Sequence, residues 1–195
     1  MHKLRARLFM VFLLMMAGIL AGFGQSKKAK AQANPVVALD TTMGIIEVKL
    51  FPDKAPVTVK NFLDYVSIGF YDGTIVHRVD FVVGFGGYTE ALSAKPTLPG
   101  IKNESRNGLK NTRGALAMAR YEEPNSATSQ FFINLKENSH LDPQGKGFGY
   151  AVFGKVIGGM EVVDKIAKVK TGNKGPFSNI PLQTITVKSA KVVNE

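Results

Sequence analysis

The stretch VVALDTTMGIIEVKLF, residues 36–51, decides the fold class of this chain. Its two halves, Val36–Leu39 and Ile45–Phe51, are predicted as strands joined by a turn at residues 41–44. In the second strand, apolar residues at 46, 48 and 50 alternate with charged residues at 47 and 49. A period of two is typical of a strand with one buried face. We therefore expect a β protein.

Two helices are predicted among further short strands. Pro56 opens the first helix, because a first-turn residue needs no backbone N–H donor. Apolar residues at 59, 62, 63 and 66 follow at helical spacing, and Gly69 ends the helix. The second helix covers Met160–Val169. The further strands are predicted at Thr74–Val79, Ala115–Ala119, Gln130–Leu135, Ala151–Val156 and Thr184–Val192. This pattern favours a mainly β fold, a closed antiparallel barrel capped by the two α-helices.

The N-terminal residues 1–33 have the layout of a secretory signal peptide. A basic start is followed by an uninterrupted apolar run, Leu8–Gly24, and then by the A-x-A pattern Ala31-Gln32-Ala33. The alternative is an uncleaved membrane anchor, although the run is shorter than the usual spanning length of about 20 residues. Either interpretation predicts an exported, periplasmic protein, with a folded domain over residues 34–195.

Charge and composition exclude several classes of function. Six of the 25 Lys and Arg residues lie in residues 1–33, which contain no acid, so the remainder has 19 bases, 15 acids and a net charge of +4. That excess is too small and too evenly spread to predict nucleic-acid binding. The chain has no cysteine, and His77 and His140 lack any metal-ligand spacing, so no metal site is expected. The glycines at 84, 86 and 87 do not form a dinucleotide-binding motif.

A His-Arg pair stands out in the stretch IVHRVDFVVGFGGYTE, residues 75–90. An arginine among strand formers is usually on a solvated strand face, since a buried guanidinium is costly without a partner. A positioned functional cation is the alternative for Arg78. The residues around it decide between the two interpretations.

Four stretches occur in the order FYDGTIVHRV (70–79), NTRGALAMAR (111–120), SATSQFFINL (126–135) and FGYAVFGKVIGGMEVVDKI (148–166). Together they resemble the cyclophilin family of peptidyl-prolyl cis-trans isomerases over residues 36–192. Tyr150 and the amino-acid sequence of the second stretch are similar to those of the bacterial exported branch of this family. The resemblance implies an eight-stranded antiparallel barrel with two capping helices. It also implies a monomer that needs no cofactor and acts on proline-containing polypeptides.

The resemblance also implies the residues of the site. Arg78, Phe81 and Gln130 fall on the catalytic positions. Substrate-binding positions fall on His77, Val82, Gly84, Ala119, Arg120, Phe132, His140, Leu141 and Tyr150. Strand geometry supports one part of this assignment, because residues 130 and 132 share one face while 131, 133 and 135 face the core.

The implied reaction is rotation about the bond before a proline, whose barrier is about 18–20 kcal/mol. Twisting removes the amide resonance, and the prolyl nitrogen regains a lone pair. A donor aimed at that lone pair stabilises the twisted state over both planar states. The guanidinium of Arg78 is the expected donor, because it keeps its charge and offers several N–H groups.

One departure from the family pattern leaves alternatives open. The family reads H-R-V-I-P-G-F-M-x-Q-G-G, whereas this chain lacks the Pro-Gly of the turn and has Gly84 at the position of the glutamine. We expect Arg78 to be less constrained, Phe81 to be displaced, and a glutamine restored at 84 to raise activity. A weakly active or non-catalytic prolyl-peptide binder or chaperone is therefore the alternative to an active isomerase. A structural protein built on the same barrel is a third possibility.

Overall fold

The computed structural model describes residues 34–194, so the predicted signal peptide lies outside the described residues. The strands are β1 Val36–Thr41, β2 Gly44–Leu50, β3 Arg78–Val79, β4 Val82–Phe85, β5 Ala115–Met118, β6 Phe131–Asn134, β7 Val152–Gly158, β8 Thr171–Lys174, β9 Phe177–Pro181 and β10 Val187–Asn194. The helices are α1 Pro56–Ser67, α2 Met160–Ala167 and a short 3-10 helix, Ser139–Leu141. No helix within residues 34–194 is long and apolar enough to cross a membrane.

Eight strands form one antiparallel sheet in the order β10-β1-β2-β7-β5-β6-β4-β3. The hairpin predicted at residues 36–51 is present, with Leu39 opposite Ile46. The sheet curls until its edges meet at a short seam, where the amide of Val76 donates to Ile185 and the amide of Val187 donates to Thr74. The mainly β fold is confirmed. "Closed" overstates the contact, because a bridge rather than a full ladder joins the edges.

Both predicted helices are present and pack on the core of the barrel. Pro56 lies in the first turn of α1, and Gly69, with a φ of 64°, follows its end. Val59, Phe62 and Val66 of this helix are buried. Helix α2 ends at Ala167, two residues earlier than expected, and buries Val162, Val163 and Ile166 in the same core. The hydrophobic spacing therefore predicted the buried faces correctly.

A side chain from the long loop between β4 and β5 caps the N-terminus of α1. The carboxylate of Glu104 accepts hydrogen bonds from the amide of Val57 at 3.1 Å and from the amide and hydroxyl of Thr58 at 2.8 and 2.7 Å. These amides have no partner within the helix, and the helix dipole favours a negative charge beside them. The contact joins a loop to a core helix.

Two parts of the sheet differ from the sequence prediction. The predicted strand Thr74–Val79 forms only isolated bridges before the two-residue strand β3. Strand β4, which Gly84 interrupts, and the separate hairpin of β8 and β9, where glycine, asparagine and lysine break the apolar pattern, were not predicted. The hairpin packs beside β3, which carries Arg78.

Candidate active site

A cavity of about 320 Å³ lies on the outer face of the sheet over β4, β5 and β6. Its lining includes every residue predicted for the site. These residues are His77, Arg78, Phe81, Val82, Gly84, Ala119, Arg120, Gln130, Phe132, His140, Leu141 and Tyr150, and Phe131 lines it as well. The structure thus brings together residues separated by as much as 73 positions along the chain. Their individual roles stay predictions.

The floor of this cavity is an apolar cluster that is distinct from the barrel core. Val82, Ala117 and Phe132 are buried there, and the partly buried Phe81 and Leu141 pack against them. The neighbouring residues of the β6 strand, 131 and 133, belong to the core instead. The period-two assignment of these two faces is therefore confirmed. The cavity can hold a compact apolar ring away from water.

Arg78 lies at the edge of this cavity with its side chain about half exposed. Its guanidinium carbon is 5.4 Å from the centre of the Phe81 ring, within the range of a cation–π contact. Arg78 Nε donates to Asp80 Oδ2 at 2.8 Å, and Nη2 lies 2.7 Å from the same oxygen. Among residues 34–194, Nη1 has no hydrogen-bond partner. Asp80 thus restrains the guanidinium, and the expectation that Arg78 is less constrained than in the family stays a prediction.

The shortened turn itself provides the constraint. Asp80 occupies the turn between β3 and β4, and its other oxygen, Oδ1, accepts a hydrogen bond from the amide of Val82 at 3.1 Å. One carboxylate therefore ties the turn to the arginine. Sequence reasoning missed Asp80 because the family comparison considered only the two residues missing between Asp80 and Phe81. The signal was present in the sequence as an acid two residues after the arginine.

Phe81 reaches the cavity in spite of the shorter turn. Its carbonyl accepts hydrogen bonds from the amide of Leu135 at 3.2 Å and from the side-chain amide of Asn138 at 3.3 Å. Asn138 in turn donates to Asn134 at 2.8 Å in a buried network. The ring of Phe81 packs edge-on against His140 at 5.3 Å. The turn is held from a neighbouring segment as well as from within.

Gly84 lies opposite Arg78 in the register of β3 and β4. A Cβ placed on Gly84 would lie 3.3 Å from both Arg78 Cβ and His77 Nε2. Such contacts are close, so any side chain here would push on the arginine or the histidine. A glutamine at 84 would require Arg78 or His77 to move by a few tenths of an ångström, and its effect on activity stays a prediction.

Arg120 and Tyr150 form the opposite wall. The Arg120 guanidinium donates to the carbonyls of Phe148, Gly149, Tyr121 and Glu122 at 2.7 to 3.1 Å. It also lies 5.0 Å from the Tyr150 ring centre. The Tyr150 ring packs edge-on against Phe132 at 5.6 Å. Arg120 therefore holds the wall in place through backbone contacts.

The remaining polar lining residues are Gln130 and His77. Gln130 lies against Gly87, where a Cβ would approach Gln130 Cγ to 2.8 Å and where φ is 98°, so only glycine fits well. His77 packs edge-on against Tyr88 at 5.1 Å. Burial lowers the pKa of His77 to about 4, a hydrogen bond to the Ile75 backbone opposes this in part, and the charge of Arg78 lowers the pKa slightly further. The imidazole is therefore neutral at physiological pH.

No group of three or more His, Asp or Glu side chains in the described part of the chain is arranged to hold a metal ion. The groups that the cavity offers are a fixed cation, an amide side chain, a neutral imidazole and an apolar floor. Such a site can bind a small apolar ring and donate hydrogen bonds beside it.

Comparison with known proteins agrees with this geometry. The family model for cyclophilin type peptidyl-prolyl cis-trans isomerases matches residues 36–192. The chain is 53% identical to peptidyl-prolyl cis-trans isomerase A of Dickeya dadantii over 161 residues, covering 82% of this chain and 85% of that protein. It is 49% identical to peptidyl-prolyl cis-trans isomerase B of Escherichia coli, covering 80% of this chain and 99% of that protein.

A solved structure gives the same result at the level of the fold. The cyclophilin type peptidyl-prolyl cis-trans isomerase of Cryptosporidium parvum superposes with a TM-score of 0.69 and 27% identity, covering 83% of this chain and 99% of that one. The family match covers the sheet up to residue 192 of β10 and every residue of the candidate site. This chain belongs to the cyclophilin family of peptidyl-prolyl cis-trans isomerases.

Proposed function

We propose that this cyclophilin accelerates rotation of Xaa-Pro bonds in exported proteins, with Arg78 as the donor to the prolyl nitrogen. The observation that carries the proposal is the position of the Arg78 guanidinium, at the edge of an apolar cavity floored by Phe132. A prolyl ring seated on that floor would place its nitrogen near the cavity edge. The Cryptosporidium relative has been crystallised in the presence of the dipeptide Ala-Pro, which supports proline-containing polypeptides as clients.

The proposed mechanism needs neither acid–base chemistry nor a covalent intermediate. The planar prolyl nitrogen accepts hydrogen bonds poorly, whereas the pyramidal nitrogen of the twisted state accepts them well. A fixed donor therefore binds the twisted state more tightly than either planar state. One preorganised donor of this kind contributes about 3–4 kcal/mol, which corresponds to two to three decades in rate. The apolar floor holds the ring while the preceding residue rotates.

Asp80 supports this role by fixing the plane of the guanidinium. It binds Nε and Nη2, and this leaves the two N–H groups of Nη1 for the substrate. Its charge also offsets part of the positive charge of Arg78, which would weaken binding to the twisted state. A weakly active or non-catalytic prolyl-peptide binder is therefore the second candidate. The Arg78–Asp80 pair is the observation in its favour.

A peptide isomerisation assay separates these candidates. We expect catalysis by the intact protein, and a loss of at least about a hundredfold in kcat/KM for Arg78→Ala. Arg78→Lys tests geometry, since a lysine keeps the charge and loses the planar fork. Circular dichroism and thermal unfolding would verify that each variant is folded. Background rates for the intact protein would favour the binder, and unchanged kinetics in the alanine variant would remove Arg78 from its role.

Export is the second part of the proposal. Residues 1–33 would direct the chain to the periplasm, where a monomer released after Ala33 would act on flexible exported clients as a folding catalyst and chaperone. Mass determination of the protein recovered from the periplasmic fraction tests this directly. A chain beginning at Asn34 is the expected result, an intact chain in the membrane fraction indicates the anchor, and an intact cytoplasmic chain contradicts export.

A further inference from the structure

A second cavity adjoins the candidate active site on the side of the β8–β9 hairpin. Its volume is about 660 Å³, roughly twice that of the first, and within the usual range of ligand pockets of about 300–1,000 Å³. We call it the trough and define its own walls as Tyr88, Leu92, Ala94, Pro176, Phe177 and Asn179. None of these residues was predicted from the sequence to have a function.

The trough is continuous with the site already described. His77, Arg78 and Gln130 line both cavities, so these three side chains form the ridge between them. An extended chain advances about 3.3–3.6 Å per residue. A polypeptide with its proline on the Phe132 floor would therefore reach the trough within a few residues. The occupant most consistent with this continuity is the same client chain.

The walls indicate what part of the client would bind. Phe177 and Tyr88 are both half-buried and meet edge-on, with ring centres 4.7 Å apart. Among the described residues that line the trough, Arg78 is the only charged one, and it is paired with Asp80. Half-exposed aromatic and aliphatic groups favour an aromatic or large aliphatic side chain. Asn179 and Gln130 can bond the backbone amides beside it.

The backbone of the trough supports a functional interpretation. Leu92 and Asn179, with φ of 60° and 57°, are the two non-glycine residues of the described chain in the left-handed region. Both line this cavity, one from each side. Left-handed conformations are unfavourable for leucine, and strained positions of this kind cluster at binding sites. The loop at Leu92 and strand β9 at Asn179 therefore both adopt an unusual backbone conformation where they border the trough.

We propose that the trough is a specificity subsite that binds an aromatic or large aliphatic client side chain within a few residues of the proline. This inference rests on the proposed isomerase function and extends it from the proline to its neighbours. It assigns the β8–β9 hairpin, which forms no part of the barrel sheet, to substrate selection.

The test uses two series of proline peptides, with Phe or Ala placed at successive positions before or after the proline. We expect kcat/KM for the best Phe peptide to exceed that of its Ala counterpart by about tenfold. Phe177→Ala should bring this ratio close to one. Ala94→Trp, at an exposed position, should also bring the ratio close to one, because the indole would fill the trough. This variant replaces Phe177→Ala in the test if that change unfolds the hairpin.

Leu182→Ala is the matched control, since Leu182 is an exposed apolar residue just after β9 that does not line the trough. It should keep the Phe-to-Ala ratio of the intact protein. The inference is overturned if both trough variants keep that ratio. It is also overturned if the intact protein has the same kcat/KM for Phe and Ala peptides at every position in both series. Turnover of the Ala peptides would show that the isomerase function stands in that case. Without turnover of any peptide, fluorescence anisotropy would measure the same ratio in dissociation constants.

Discussion

At the scale of single residues, Asp80 is the feature that most distinguishes this site. We predict that Asp80→Ala lowers kcat/KM about three- to tenfold, because small losses of orientation in a catalytic group are expensive. Asp80→Asn should lose less, since its single amide oxygen can still accept the bond of Arg78 or that of Val82, which Asp80 accepts with separate oxygens. Asp53→Ala, an exposed change of the same charge, controls for long-range electrostatics.

Higher activity in Asp80→Ala would have a different meaning. It would show that the carboxylate restrains the cation by offsetting its charge and that orientation matters less. Steady-state kinetics with one peptide distinguish these two results. The folded state of each variant should be compared by thermal unfolding, because Asp80 also stabilises the turn.

His77 provides a residue-scale prediction about pH. Its pKa is about 4 in the folded protein, below the ordinary value of 6.5, mainly because the imidazole is buried. As pH falls from 6.5 toward 4, His77 therefore binds a proton in the unfolded chain while it is still neutral in the folded chain. The contribution of His77 to the free energy of unfolding is therefore fully present above pH 6.5 and is lost as pH falls toward 4.

Between neutral pH and pH 4, the titration of His77 should lower the free energy of unfolding by about 1–3 kcal/mol. We expect His77→Gln to remove this decrease. Urea unfolding across that range measures the difference between the variant and the intact protein. His140→Gln, at an exposed position, is the control. Parallel pH curves for the intact protein and His77→Gln would contradict the assignment.

At the scale of elements, Glu104 connects a loop to helix α1. Glu104→Ala should lower the free energy of unfolding by about 1–2 kcal/mol, because the amides of Val57 and Thr58 lose their acceptor. Glu104→Gln should lose less, since it keeps an acceptor oxygen. Denaturant unfolding gives both values, and Glu137→Ala, at an exposed position, should have no effect. Equal stability of the alanine variant would show that water replaces the carboxylate without cost.

The elements also show how far the sequence could predict this structure. Regular apolar spacing predicted α1, α2 and the β1–β2 hairpin, because their buried faces follow one period without interruption. In strand β4 only Gly84 interrupts the strand formers, whereas the β8–β9 hairpin is rich in Gly, Asn, Lys and Pro, which disfavour strands in isolation, so tertiary neighbours determine that hairpin. The trough, which that hairpin borders, could not be predicted for the same reason.

At the scale of the whole molecule, the resemblance of four ordered stretches predicted both the barrel and the membership of the site. All twelve predicted lining residues meet in one cavity. The effect of the missing Pro-Gly pair could not be predicted, because it depends on contacts between distant segments. Asp80 holds Arg78, and Asn138 and Leu135 hold Phe81. A gap in an alignment says where residues are lost, but not which atoms replace them.

The pairing of β1 with β10 sets Val36 directly across from Asn194. Neighbouring strands lie about 5 Å apart, a distance that a linker of very few residues can span. The order of the strands along the chain can therefore be changed without changing their arrangement in the sheet. A circular permutant, joined across this pair and opened in the exposed loop at 144–147, would trace the same sheet and leave the cavity residues uncut.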